Sequence, residues 1–223
     1  MMQLEAELSN HFEEYDHASI AFRYDSLSPI LKKKIEQLLS EAESFHYPFE
    51  KLGKHLNIIH SRDNRLRIFS WDERTGGSMH DMAAIVQYQT ASKQIKTYWL
   101  DSPSIGKEGA RFNEVYFEIH NLQINGQLYY LCFGWGTYGS GNHHNTILIF
   151  SLEEEQLQLC DACIDRNYQL IMAPRMYKIE LQFDENQQEI SFNEFKEDEE
   201  TGFFQSTGKR IRLKLKGNKF MSD

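Results

Sequence analysis

A mostly β fold, an antiparallel sandwich or a stack of coiled sheets with an N-terminal helical segment, is predicted by three observations. Apolar residues recur at helical spacing before residue 50, and after Gly53 the period shortens to two. Aromatic residues make up 13% of the chain, with 15 Phe and 11 Tyr, and such rings suit pleated, half-buried surfaces. No helix-length pattern lies between the strand patterns, which disfavours a parallel α/β sheet. The chain divides accordingly into a helical segment, 1–50, and an antiparallel β domain, 51–223.

A first, weaker helix covers Gln3 to Tyr15. A second starts at Ser28-Pro29, where Ser can cap and Pro suits the first helical position. Ile30, Leu31, Ile35, Leu38, Leu39, Ala42 and Phe45 form its apolar face, and Pro48 is expected to end it. Beyond Gly53, Leu66, Ile68 and Ser70 alternate with Arg67, Phe69 and Trp71, which reads as a strand with one buried and one wet face. Similar alternation marks strands around Val115–Ile119, Ile179–Phe183 and Ile211–Leu215. Leu128 to Phe133 and Ile147 to Phe150 are apolar on both faces and should be central strands. Asn125-Gly126 predicts a two-residue hairpin turn with positive φ at both positions. Asp63-Asn64, Glu153 to Glu155, Asn186-Gln187 and Thr207-Gly208 are further turn candidates. About ten strands, joined mostly as consecutive hairpins, are expected.

The chain carries 33 acidic and 24 basic residues, a formal charge of −9. Such a field repels phosphate backbones, so nucleic acid is not the expected partner, whereas a basic protein would be attracted. The run Glu194 to Glu200 followed by the basic strand Lys209 to Lys219 reads first as a solvated turn beside an edge strand guarded by Lys and Arg. No apolar run reaches the length of a membrane span. No targeting segment is recognisable, so the expectation is a soluble cytoplasmic protein, or a periplasmic one if a signal peptide was trimmed. Three cysteines, Cys132, Cys160 and Cys163, form no even disulfide framework, which agrees with a reducing compartment.

Three motifs invite chemical readings. Gly134-Trp-Gly136-Thr-Tyr-Gly139 has glycine spacing seen in dinucleotide sites, but those sites need a helix after the glycines. Here a strand follows, so the segment Gly134–His144 reads as a long glycine-rich hairpin connection in which Gly supplies positive φ. Cys160-Asp-Ala-Cys163 lacks a second ligand pair for zinc and does not open a helix as a redox pair should, so buried thiols are expected, with no metal and no cofactor. Among acid–base candidates, His80 and Asp81 are adjacent and would point to opposite faces of a strand, which argues against a dyad. Asp72, Glu73 and Ser140 complete that candidate set. No nucleophile elbow or metalloprotease helix is present.

Two stretches, Ser61-Arg-Asp-Asn-Arg-Leu-Arg-Ile-Phe-Ser-Trp-Asp72 with Thr75-Gly-Gly77, and Tyr129-Tyr-Leu-Cys-Phe-Gly-Trp135 with Thr146-Ile-Leu-Ile-Phe150, are similar to segments of uncharacterised β-rich proteins of Gram-negative bacteria. The resemblance implies a shared β framework over roughly residues 55–165, a secreted or periplasmic setting in many members, and no activity. From the residues themselves, the leading expectation is a non-catalytic interaction protein, most concretely an immunity-type neutraliser of a bacterial toxin. Its binding residues would be Trp135, Tyr138, Asn142, His143 and His144, with Trp71. A carbohydrate- or envelope-binding module that stacks sugars on Trp71, Trp99 or Trp135 is the alternative, and a hydrolase centred on His143 and His144 comes third.

Overall fold

The structure, a computed structural model, describes residues 1–100 and 114–222. The N-terminal segment folds as α1 (Met2–His17), a short α2 (Ile20–Phe22), a π turn (Arg23–Leu27) and α3 (Ser28–Ser40). α1 buries Leu8, Phe12 and Tyr15, and α3 buries Leu31, Ile35, Leu38 and Leu39, each set lying along one helical face. The second helix stops earlier than Pro48 predicts. Glu41 is extended, and a separate 3₁₀ turn, Ala42–His46, carries Phe45 onward. Ser28 does not cap either. The π turn runs straight into α3, and the Ser28 hydroxyl donates instead to the Glu73 carboxylate.

The β domain forms three antiparallel sheets. The first holds β1 (Asn57–His60), β2 (Leu66–Asp72), β3 (Met82–Gln89) and β4 (Ile95–Trp99) in sequence order. The central sheet holds β5 (Val115–Ile124), β6 (Gln127–Thr137), β7 (Asn142–Glu153) and β8 (Gln156–Leu159), with β9 (Leu170–Pro174) alongside the first half of β7. The third holds β10 (Gln182–Asp184), β11 (Glu189–Glu197), β12 (Phe204–Lys216) and β13 (Lys219–Ser222). Consecutive hairpins are thus the rule, as loop economy favours. The two runs that are apolar on both faces lie in β6 and β7, the interior strands of the central sheet.

Three apolar layers separate four structural ones. Phe69, Trp71, Ala83 and Ile85 of the first sheet pack on α1 and α3. Leu66, Ile68, Ala84 and Val86, on the other face, meet Tyr130, Cys132, Leu148 and Phe150 of the central sheet. Leu131, Phe133, Ile147 and Ile149 then meet Ile190, Phe192, Leu213 and Phe220 of the third sheet. The order is helices, first sheet, central sheet, third sheet. The wet face expected for β2 is therefore dry: the helices cover it, and Trp71 is only 3% exposed.

Arg67 shares that covered face. Its guanidinium donates to Gln87 Oε1 (2.7 Å), to the Tyr47 carbonyl (3.0 Å) and to the Ser44 carbonyl, and lies within 5.7 Å of the rings of Phe45, Phe49 and Phe69. Burial pushes its pKa down to about 10, so the charge persists at neutral pH, held by carbonyl dipoles and ring faces.

Several turns match expectation. Asn125 and Gly126 have φ of 51° and 80° between β5 and β6, and Asn64 has φ 55° between β1 and β2. Thr207-Gly208 is not a turn. It lies inside β12, where the register with β11 shifts between Asn193 and Phe195, and Gly208 (φ 71°) takes up the extra length as a bulge. The basic run is likewise no single edge strand. It turns at Gly217-Asn218, and β13 pairs with the last residues of β12. Cys160 and Cys163 are joined by a disulfide rather than free, because a 3₁₀ turn over Asp161–Cys163 brings their Cα atoms within 5.4 Å. Cys132 alone is a free, buried thiol.

Candidate interaction site

The segment Gly134–His144 is mostly strand. β6 and β7 stay paired to Thr137 opposite His143, leaving only Tyr138–Gly141 as a tip. Ser140 (φ 58°) and Gly141 (φ 75°) make its turn, closed by Tyr138 N–H to the Asn142 carbonyl at 3.0 Å. Gly134 has another use. A Cβ built there would lie 2.5 Å from Thr146 Oγ1 and 2.9 Å from Glu114 Cβ, so the strand needs a residue without a side chain.

Two other connections converge on this tip. The loop after β2 folds back so that Glu73 N–H meets the Asp81 carbonyl (2.9 Å), and His80 N–H donates to Thr137 Oγ1 (2.7 Å). The chain leaving β9 places Arg175 N–H on the Gly141 carbonyl (2.9 Å). Arg175 then clamps all three segments: its guanidinium donates to the carbonyls of Asn142 (3.1 Å), Tyr138 (3.2 Å) and Ser78. A rigid planar fork suits this task, since one group reaches three carbonyls on two segments beside its own. Around the clamp stand Met79, Tyr138, Met176 and Tyr177, all exposed, with Tyr138 at 47% and Met176 at 83%.

The residues singled out in the sequence take different places. Trp135 is half-buried and donates its indole N–H to His143 Nδ1 (3.0 Å), while His143 Nε2–H donates to the Tyr177 carbonyl (2.9 Å). Burial lowers the His143 pKa, which keeps Nδ1 free to accept. Trp135 and His143 thus brace the rim from below, and Tyr138 stands on it. Asn142 is buried and contributes its carbonyl to the Arg175 clamp.

His144 faces the other side of the sheet, as strand alternation requires. Its Nε2 lies 3.5 Å from Glu114 Oε1, and its Nδ1 and the neighbouring Thr146 hydroxyl have no hydrogen-bond partner. Burial pushes the Glu114 carboxyl up, opposed in part by His144 and Tyr116. His143 and His144 therefore do not form a pair. Trp71 lies among the helices, its ring 6.0 Å from that of Trp99, and offers no open face for a sugar.

One dyad does exist. His80 Nδ1 lies 2.8 Å from Asp72 Oδ2, both partly exposed. The strand expected to hold His80 and Asp81 begins only at Met82; both lie in the loop before it, where Asp81 accepts from the Thr75 hydroxyl at 2.9 Å. The partner eight residues earlier was invisible, because it depends on the loop folding back. Arg175, Met176 and Tyr177 were also missed. Their only sequence signal is that Met172-Ala-Pro-Arg-Met-Tyr177 breaks the alternation on either side. Among the described residues, no group of three or more His, Cys, Asp or Glu converges as for a metal. No protein-family model matches the chain, and no curated protein matches it.

Proposed function

We propose that this chain is a non-catalytic protein-binding module, most concretely an immunity-type neutraliser that captures a bacterial toxin or effector. The observation that supports the reading is the rim itself: Met79, Tyr138, Met176 and Tyr177, exposed around one arginine clamp. Tyr is among the side chains that anchor interfaces, and Met adapts to a partner's contour. The backbone beneath is held by two paired strands and three carbonyl contacts, so little order is lost on docking. The net charge of −9 supports attraction to a basic partner. Among the described residues no helix is long and apolar enough to cross a membrane.

The test is a pull-down with a candidate basic toxin or effector. The double substitution Tyr138→Ala, Met176→Ala should weaken binding by about 2 kcal/mol or more while the melting temperature moves by no more than a few degrees. Undiminished binding by the folded variant would remove the rim from the interface.

A further inference from the structure

The rim continues onto the third sheet. The Tyr177 ring lies 5.8 Å from that of Phe195 in β11, and Asn193 bonds through its N–H to the Ile179 carbonyl (2.8 Å) and through its amide to the Lys178 carbonyl (3.1 Å). Residues 177–179 and β11 are thus one surface. β11 and β12 then run on past the bulge into a hairpin end, Asp198–Phe203.

The run 194–200 holds five carboxylates and one lysine. Glu194 is occupied by the Thr207 hydroxyl (2.7 Å) and Lys196 (3.6 Å). Asp198 is occupied by the Thr201 hydroxyl and backbone N–H, which hold its carboxyl below the usual range. Glu197, Glu199 and Glu200 are exposed, and no described cation pairs with them. Phe203, 58% exposed, stands beside them. An uncovered ring among unpaired carboxylates suits a lysine or arginine side chain, which gains from both the charge and the ring face.

We infer that the occupant of the rim is a basic polypeptide whose apolar side chains sit on Tyr138, Met176 and Tyr177 and whose cations meet the hairpin end. This rests on the protein-binding reading above and adds where the partner's cations meet the chain, at Glu197, Glu199, Glu200 and Phe203. Attraction by the acidic hairpin end speeds encounter and weakens with salt, whereas contacts at the rim set the lifetime of the complex.

The probes are two short synthetic peptides of leucine and serine, one with lysine and the other with glutamate at the remaining positions. Each is titrated into the isotope-labelled full chain while backbone amide shifts are followed. The lysine peptide should shift residues 197–203 together with Tyr138, Met176 and Tyr177, in one transition. Its affinity should fall at least about tenfold between about 50 mM and about 500 mM salt. The triple variant E197K/E199K/E200K should lose at least about tenfold and most of that salt dependence. Y138A/M176A should lose affinity but keep the salt dependence. Equal binding of both peptides at the rim overturns the basic occupant and leaves the protein-binding reading standing. Shifts confined to the hairpin, with the rim silent, overturn the joint surface and count against the rim as a docking site. Silence in both regions with both peptides overturns both.

Discussion

At the scale of the residue, the glycines of 134–139 separate by mechanism. Gly134→Ala should cost about 1–3 kcal/mol, because its new methyl meets Thr146 and Glu114 in a packed strand. Gly139→Ala, with nothing within 4 Å of the added carbon, should stay within about 0.5 kcal/mol of the parent. Urea unfolding of the two variants decides the matter, and equal costs would contradict it. A regular glycine spacing thus arose from different causes, which a sequence pattern does not separate. Glu114 makes a second residue-scale prediction. Its folded pKa is raised above the ordinary 4.5, so the folded state holds that proton more tightly than the unfolded state. The resulting stability is fully present below pH 4.5 and is lost as pH rises through the folded value. Glu114→Gln removes this loss, so the variant's advantage over the parent should grow as pH rises above the ordinary 4.5. A difference in urea midpoint that does not change with pH would refute the assignment. Trp71 was misplaced because alternation reveals two faces but not what covers each. Phe69 and Trp71 at supposedly wet positions were the legible warning.

At the scale of the element, turns were the most readable feature and bulges the least. Asn125-Gly126 carries its geometry in its side chains, whereas Thr207-Gly208 looks the same in sequence and differs only in what the partner strand does. The β7–β8 turn reverses the usual chemistry: Glu154 and Glu155 both sit at positive φ, 46° and 67°. The Glu155 carboxylate accepts from the Ser92 N–H (2.9 Å) and hydroxyl (2.8 Å), tying this turn to the first sheet. Glu154 has no such tie, so Glu154→Asn should stabilise by a few tenths to about 1 kcal/mol. A lower melting temperature for that variant would show that the turn tolerates glutamate without strain. Cys160 and Cys163 were read as free thiols because an odd cysteine count obscures one local pair. Thiol titration in denaturant should find Cys132 alone, and three reactive thiols would remove the bridge. Its ring spans few residues, so Cys160→Ser with Cys163→Ser should cost only about 2 kcal/mol.

At the scale of the whole molecule, the helical segment is a covering layer and not an appendage. Leu31, Ile35, Leu38, Leu39 and Phe49 are buried in the cluster that holds Phe69 and Trp71. Each such side chain contributes about 1.5–3 kcal/mol when buried. Removal of residues 1–50 should therefore yield aggregated or unfolded protein. A monomeric, cooperatively melting truncation would show that the sheets stand alone. The order of layers has a further consequence, for how the molecule opens. Sheet faces on both sides enclose β6 and β7, so the amides of Leu131–Phe133 and Ile147–Phe150 should exchange with deuterated solvent only through complete unfolding. The tip at Tyr138–Gly141 and the hairpin end at Asp198–Phe203 should exchange through small local openings. A partner seated on the rim would thus cover backbone that opens locally rather than globally. Its arrival should be recorded there as deuterium uptake slowed, over amides tethered to strands whose own clock reads only global unfolding.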